Sequence, residues 1–340
     1  MPRYAAGMLR SVEGKGGTMN YKNIRNSDLK ISTFNLGTMM FGGQTNETDS
    51  LAIMNYAFDQ GINLFDTANV YNAGKTERVV AKGLKGRRDK IILATKVGYP
   101  MSGDLHQAGL AKDYIISAAN DSLQRLETDY IDIYYMHAPD TKTPIEQSLE
   151  AMSTLINSGK IRYYAVSNFA AWQIADLLAA CDKYNFVKPI LTQNVYNPIT
   201  RGIEDELIPF LNAHELDMTI YNPIAAGLLA GKHKKGKPTD NTRFSNSSVY
   251  YDRYWSDANF AAIESIEDIA GELNMTILEL TMKWCLSRPN VTSIITGVSR
   301  LSQLEQNIST LDGDTLSDDT LEKFDLIWGN LTGNRFKYNR

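Results

Sequence analysis

The sequence predicts a single α/β domain folded as a closed (β/α)8 barrel of the TIM type, with long loops over its C-terminal face. Short apolar, β-rich runs alternate with longer helical patterns along the 340 residues, as in parallel sheets with crossover helices. Eight such runs can be found, the strand number of this barrel. The rival fold is an open, doubly wound sheet. It would carry GxGxxG after its first strand, where this chain has GTMMFGG.

The eight strand candidates are residues 34–38, 63–68, 91–97, 131–137, 163–168, 191–197, 218–223 and 293–297. One intervening helix is indicated by Ile116, Ala119, Leu123 and Leu126, which recur on one helical face. Another is predicted to open with a capping box at residues 143–146 and to end at Gly159. The longest connection, residues 226–257, exceeds a plain strand-to-helix loop and is predicted to fold over the barrel mouth.

Composition limits the kinds of protein this chain can be. It is 43% hydrophobic and 22% charged with a net charge of -4, which indicates a globular protein that binds neither nucleic acid nor membrane. Two cysteines, Cys181 and Cys285, are too few for a disulfide framework and favour a cytoplasmic setting. We expect residues 1–18 to be a disordered extension, with the domain spanning residues 19–340. A targeting role for the extension is the alternative.

Unusual polar residues stand at the C-terminal ends of the predicted strands, where such barrels hold their chemistry. Asp66, Tyr71, Lys96 and His137 follow this pattern on three consecutive strands and their loops. A buried Lys96 needs the counter-charge of Asp66. Its ammonium is expected to lower the pKa of Tyr71 below the usual value of about 10, which would make the phenol a proton donor and acceptor. His137 would bind a carbonyl oxygen. Each residue alone is more often structural, but together they favour a catalytic site.

No metal site is predicted. The four histidines, at 106, 137, 214 and 233, form no i, i+4 pair, and the chain has no CxxC motif. It also lacks GxSxG and the Walker loop. A metal-dependent barrel hydrolase therefore has little support.

At these residues the chain resembles the aldo-keto reductase superfamily, and the likeness extends from Met19 nearly to the C-terminus. GINLFDTANVYNAGKTE carries Asp66 and Tyr71, LATKV carries Lys96, and YIDIYYMHAPD carries His137. Other segments, among them SNFAAWQIADLL, YNPIAAGLLAGK and RYW at 253–255, resemble the aflatoxin-aldehyde and succinic-semialdehyde reductase branch.

The resemblance implies NADPH, bound extended across the barrel mouth. The residues it implies for cofactor binding are Asp66, Gly37, Thr38, Met39, Ser167, Asn168, Gln193, Tyr221, Asn222, Pro223, Ile224, Ala225, Gly227, Lys232, Arg243, Gly297, Ser299, Arg300, Gln303, Gln306 and Asn307. Other branches often have a lysine near Gly297 and an arginine near Gln303. Here Arg243 and Arg300 would carry more of the contact with the 2'-phosphate, so the choice between NADPH and NADH stays open.

The implied reaction is reduction of a small aldehyde or ketone to an alcohol by hydride transfer, with Tyr71 as general acid. One rival is a nicotinamide-binding regulatory subunit of the channel-associated type, and a second is a barrel isomerase or lyase without a redox cofactor. The reductase and the regulatory subunit could each form a homo-oligomer. Residues expected to form an apolar substrate pocket are Met39, Met40, Trp172, Tyr250, Trp255 and Trp328. Arg335 or Arg340 would meet the carboxylate of an acidic substrate.

Overall fold

Eight parallel strands close into a barrel in the computed structural model, which describes residues 19–101, 103, 108–238, 240, 242–313 and 315–333. Outside the barrel, β1 (Tyr21–Asn23) and β2 (Lys30–Ser32) form an antiparallel hairpin. The barrel strands are β3 (Phe34–Gly37), β4 (Leu64–Asp66), β5 (Ile92–Val97), β6 (Ile131–Met136), β7 (Ile161–Ser167), β8 (Leu191–Val195), β9 (Asp217–Tyr221) and β10 (Val291–Gly297). Each pairs with the next, and β10 pairs with β3, so the predicted (β/α)8 fold is confirmed.

Helices follow the barrel strands. They are α1 (Glu47–Asp59), α2 (Lys75–Leu84), α3 (Lys112–Leu126), α4 (Ile145–Asn157), α5 (Ala171–Tyr184), α6 (Leu207–Ala213), α7 (Arg243–Asn246), α8 (Ser248–Tyr254), α9 (Asp257–Glu272), α10 (Ile277–Ser287), α11 (Leu301–Ser309) and α12 (Asp318–Thr332). Short 3-10 turns occupy Tyr71–Gly74, Arg88–Lys90, Gly202–Glu204 and Ala225–Ala230. Within the described ranges, no helix is both long enough and apolar enough to cross a membrane.

Two apolar layers hold the barrel together. The larger lies between the outer faces of the strands and the helices, and it includes Phe65, Leu93 and Tyr134. The smaller lies inside the barrel, where Leu64, Ala94 and Ile133 pack with residues of the β1–β2 hairpin, which closes one end. Because side chains alternate along a strand, the residue two positions after Leu64 or Ala94 also faces the barrel interior. These two residues are the polar Asp66 and Lys96.

The start of α4 differs from its prediction. Pro144 has non-helical backbone angles and is the N-cap, so no capping box forms. The hydroxyl of Thr143 instead donates to the Asp140 carboxylate at 2.7 Å, so it is engaged outside the helix. The helix end is as predicted, since Gly159 follows it in the left-handed region at φ 72°.

The long connection lies over the C-terminal face. It contains a 3-10 turn, α7 and α8, and its residues form one side of the cavity described below. The predicted extension at residues 1–18 lies outside the described residues and stays a prediction.

Candidate active site

A cavity of about 900 Å³ opens at the C-terminal ends of the barrel strands. Strand ends and the loops after them line one side, and the long connection lines the other. Because parallel strands all end at the same rim, residues far apart in sequence meet here.

Asp66 and Lys96 form a buried ion pair at the floor of this cavity. They end β4 and lie near the end of β5, strands that pair directly. The Lys96 ammonium donates to one oxygen of Asp66 and, at 2.9 Å, to the carbonyl of Thr67. The other Asp66 oxygen accepts a hydrogen bond of 3.0 Å from the side-chain amide of Gln193. Burial lowers the pKa of Lys96, and the Asp66 carboxylate offsets part of this effect. The predicted pairing of the two residues is therefore present.

Tyr71 lies above this pair on the loop after β4. Its ring centroid is 5.4 Å from the Lys96 Nζ, and the side chain lines the cavity. The loop turns sharply because Asn72 and Ala73 both adopt left-handed angles. The Asn72 amide donates at 3.1 Å to the carbonyls of Met39 and Phe41, which fixes the loop against the one after β3.

The predicted lowering of the Tyr71 pKa is wrong, because the pKa is raised instead. Burial raises its pKa well above 10, and the Asp66 carboxylate adds to the rise. Asp66 lies at hydrogen-bond distance from the Lys96 ammonium, so its carboxylate opposes the lowering of the Tyr71 pKa that Lys96 alone would cause. Tyr71 is therefore a neutral phenol over the whole physiological range and is suited to donate a proton.

His137 follows β6 on the same wall of the cavity. Its backbone N–H donates to Val97 at 2.8 Å, and the Tyr99 ring lies edge-on to the imidazole with centroids 4.6 Å apart. Burial lowers the pKa of His137 well below 6.5, and the Lys96 charge lowers it further. The buried Nδ1 has no hydrogen-bond partner among the described residues. A neutral imidazole is thus favoured, with its other nitrogen available to a ligand in the cavity.

Amide and hydroxyl groups form the wall beyond His137. Asn168 adopts a left-handed conformation at φ 62° directly after β7, and its side-chain amide donates at 2.9 Å to the His137 carbonyl. The Tyr221 hydroxyl donates to the Asn168 side-chain oxygen at 2.8 Å. Ser167 donates to the Gln193 carbonyl at 3.0 Å. These hydrogen bonds fix the orientation of the polar groups on this wall.

The far end of the cavity carries cationic groups and a helix N-terminus. α11 begins directly after Arg300, and the Ser299 backbone N–H donates to Gln303 at 2.9 Å. Arg300 is exposed at this mouth. Across from it, the Arg243 guanidinium lies 5.0 Å from the Tyr250 ring centroid. This end of the cavity suits anionic groups.

Of the residues predicted for catalysis or cofactor binding, nearly all line this one cavity. Two do not. Ala225 is fully buried in the core, and its backbone N–H donates to Asn222 within the turn. Lys96 is fully buried behind the wall and reaches the site through its neighbours.

The predicted apolar pocket is only partly present. Met39, Met40 and Tyr250 line the cavity. Trp172 is 63% exposed on α5, and Trp255 packs against the rings of Phe244 and Phe260 instead. Trp328 lies on α12, away from the cavity.

Several lining residues were missed. They include Gln44, Asn72, Tyr99, His233 and Thr242. Tyr99 lies two residues beyond the end of β5, and that position could have indicated it. The others lie on loops whose course the strand pattern does not reveal.

The cavity suits a long ligand with a flat polar ring at one end and phosphates at the other. Hydrogen-bonded amides stand near the Asp66–Lys96 pair, and arginines stand at the far mouth, as a nicotinamide dinucleotide would require. Among the described residues, no group of three or more His, Cys, Asp or Glu side chains could hold a metal ion.

Comparison with protein-family models matches residues 34–328 to the aldo/keto reductase family. The chain belongs to this family. It is 35% identical over 301 residues to a probable voltage-gated potassium channel subunit beta of Arabidopsis thaliana, covering 86% of this chain and 92% of the relative. A protein of the same description from Oryza sativa subsp. japonica is 32% identical over the same shares. An uncharacterized oxidoreductase of Bacillus subtilis (strain 168), YrpG, is 33% identical, covering 86% of this chain and 91% of the relative.

Family membership makes the chain an aldo/keto reductase-type oxidoreductase scaffold for small carbonyl substrates. Proteins of this kind bind nicotinamide cofactors, which agrees with the shape and donor groups of the cavity. The superfamily resemblance is thereby confirmed.

Proposed function

We propose that the protein reduces aldehydes or ketones to alcohols with NADPH, and that Tyr71 is the general acid. The observation that carries this is the convergence of Tyr71 and His137 on one cavity, with the Lys96–Asp66 pair directly behind them. Carbonyl reduction needs a neutral proton donor beside the oxygen on which charge develops. Tyr71 has the raised pKa that keeps it protonated.

NADPH would supply the hydride. Ser167, Asn168 and Gln193 would hold the nicotinamide amide, and the Tyr221 ring would lie against the nicotinamide. Arg243 and Arg300 would meet the 2'-phosphate, since both stand at the far mouth of the cavity. This assignment is supported by the hydrogen-bonded Asn168 amide at one end of the cavity and by the arginines at the other.

The chain's own residues divide the remaining work. The substrate oxygen would lie between the Tyr71 hydroxyl and the His137 imidazole, which donate hydrogen bonds to it as its negative charge grows. Tyr71 then gives its proton to that oxygen. That step leaves Tyr71 as a phenolate, whose negative charge the nearby Lys96 ammonium would stabilise, while Asp66 holds Lys96 in place.

We also propose which branch of the family the protein belongs to. Segments such as SNFAAWQIADLL favour the aflatoxin-aldehyde and succinic-semialdehyde reductases, which act on aldehydes. Arg335 or Arg340 would then bind a substrate carboxylate, and both lie outside the described residues.

The decisive experiment is a screen for NADPH oxidation across small aldehydes, ketones and semialdehydes, followed by absorbance. Steady turnover with at least one class, dependent on added carbonyl, is expected. Tight NADPH binding without turnover on any of them would contradict the proposed reaction. The absence of any NADPH binding would instead favour a barrel isomerase or lyase.

A second candidate is a nicotinamide-binding regulatory subunit of a channel, with little turnover. The two plant relatives, described as probable potassium channel beta subunits, favour it. An intact set of Asp66, Tyr71, Lys96 and His137 does not separate the two, because a regulatory subunit can retain them. Co-purification with a potassium channel from a cell that expresses both would support this candidate. Carbonyl turnover at rates typical of enzymes, about 1 per second or more, would argue against it.

A further inference from the structure

The barrel interior beneath the catalytic pair holds a tyrosine that the proposed reaction does not use. Tyr135 is 1% exposed and stands on β6 directly opposite Lys96 on β5. Its neighbour Tyr134 points the other way, into the layer between sheet and helices. Tyr135 belongs to the inner cluster with Leu64 and Ala94. It therefore lies between the apolar barrel base and the charged site.

The Lys96 ammonium is flanked by two tyrosine rings. Its Nζ lies 5.4 Å from the centroid of Tyr71 and 5.6 Å from that of Tyr135. Both distances are within the roughly 6 Å over which an aromatic face attracts a cation. The attraction is strongest where water is excluded, and Lys96 is fully buried.

Packing in the inner cluster holds the Tyr135 ring in this place, and its hydroxyl faces polar side chains. Its hydroxyl interacts with the side chains of Gln193 and Thr219. Gln193 in turn donates to Asp66, and Thr219 lies 3.3 Å from the Ser293 hydroxyl. Burial raises the pKa of Tyr135, so the phenol stays neutral and adds no second negative charge beside Asp66.

We propose that Tyr135 is a positioning residue for this site, whose ring keeps Lys96 in its charged form and directed at Tyr71. The proposal rests on the reductase function above. Without the ring, the ammonium would face an apolar interior on its lower side. Tyr135 would then contribute to catalysis without touching substrate or cofactor.

The groups that face Lys96 come from two neighbouring strands and their loops. Asp66 and Tyr71 approach from β4 and the loop after it, while Tyr135 and His137 approach from β6 and its end. Of these four, Asp66 alone carries a negative charge, since His137 and both phenols are neutral. Burial already lowers the pKa of Lys96, so loss of the ring is expected to lower it further.

The test compares Tyr135→Leu, Tyr135→Phe and the control Tyr134→Phe. Leucine removes the ring, whereas phenylalanine keeps the ring and removes the hydroxyl. The control removes a buried hydroxyl that has no partner among the described residues. The pKa of Lys96 is measured by NMR on lysine-labelled protein without cofactor, with the signal assigned through Lys96→Met.

Tyr135→Leu is expected to lower the pKa of Lys96 by about 0.5 to 1 unit. Because Lys96 must be protonated for turnover, the alkaline limb of the kcat profile should move to lower pH by a similar amount. Both phenylalanine variants should stay within about 0.3 unit of wild type in each measurement. Tyr135→Met, with a longer and more flexible side chain, replaces Tyr135→Leu should the latter not fold.

An unchanged Lys96 pKa in the ring-deleted variant would overturn the proposal. An equal shift in Tyr135→Phe would overturn it too, because the hydroxyl rather than the ring would then be responsible. The NMR measurement needs no turnover. A wild-type protein that reduces no carbonyl would therefore refute the proposed function while the effect of the ring on Lys96 could still be observed.

Discussion

The side-chain amide of Gln193 donates a hydrogen bond of 3.0 Å to the carboxylate of Asp66. One residue on β8 thus contacts the Asp66–Lys96 pair and also lines the wall proposed to hold the nicotinamide. A substitution that removes this amide is therefore expected to affect both the Asp66–Lys96 pair and nicotinamide binding.

The first prediction follows from that contact. Gln193→Leu should lower both kcat and NADPH affinity, each by about ten- to a hundredfold, because a hydrogen bond to a charged group is worth about 1.5–3 kcal/mol. Ser167→Ala is the control, since its hydroxyl bonds the Gln193 backbone and does not reach Asp66. It should weaken NADPH binding and leave kcat within a few-fold. Fluorescence titration and steady-state kinetics measure the two effects. A change in affinity alone for Gln193→Leu would show that its bond to Asp66 has no role in turnover.

The second prediction concerns the proton donor. Tyr71→Phe keeps the ring and its packing but removes the hydroxyl. General acid catalysis typically contributes about 10²- to 10⁴-fold, so kcat should fall at least a hundredfold while NADPH affinity changes less than a few-fold. Tyr99→Phe is the matched control in the same cavity and should retain most activity. Near wild-type reduction of aldehydes by Tyr71→Phe would refute the proposed mechanism.

The third prediction concerns cofactor choice. Arg243 lines the far mouth and stacks over Tyr250, where a 2'-phosphate would lie. Arg243→Ala should weaken NADPH about ten- to a hundredfold and NADH much less, because NADH lacks that phosphate. Arg253→Ala, on α8 and outside the cavity lining, is the control. Equal losses of NADPH and NADH affinity in Arg243→Ala would assign it to folding of the long connection.

The fourth prediction concerns pH and stability. The pKa of His137 is lowered in the folded protein, so below about 6.5 the unfolded chain binds a proton that the folded one does not. The free energy of unfolding should therefore fall as the pH drops below that value. His137→Gln should make the fall shallower by up to about 1.4 kcal/mol per pH unit.

Urea unfolding of wild type and variant at a series of pH values measures this. His233 has a lowered pKa as well, so His233→Gln serves as a separate comparison. Identical slopes for wild type and His137→Gln would show that His137 titrates alike in both states.

The fifth prediction tests the acidic-substrate branch. Removal of the residues after Gly333 takes away Arg335 and Arg340. The KM for succinic semialdehyde should then rise, with little change for an uncharged aldehyde of similar size. A double substitution of the two arginines by glutamine checks that charge, and not chain length, is responsible. Equal effects on both substrates would rule out a carboxylate contact.

Much of this site could be predicted because a parallel barrel brings all strand ends to one rim. Asp66, Lys96 and His137 stand at the ends of apolar runs, so their sequence positions already implied a shared location. Tyr99 was not predicted although it follows β5 closely, because it lies outside the motifs that carry the family resemblance. The surroundings of Trp172 and Trp255 could not be predicted, because the sequence around an aromatic residue outside the strands does not show whether it packs, protrudes or lines a cavity.

The sequence by itself determined the barrel, the order of its strands and the pairing of Lys96 with Asp66. These follow from hydrophobic periodicity and from the cost of burying an unpaired charge. Tertiary structure alone decided the protonation of Tyr71. Burial raises the pKa of the phenol, and the Asp66 carboxylate, held close by Lys96, adds to the rise. Tertiary structure also placed Tyr135 beside Lys96, a contact that the sequence did not indicate. The pairing of β5 with β6 brings these two residues side by side.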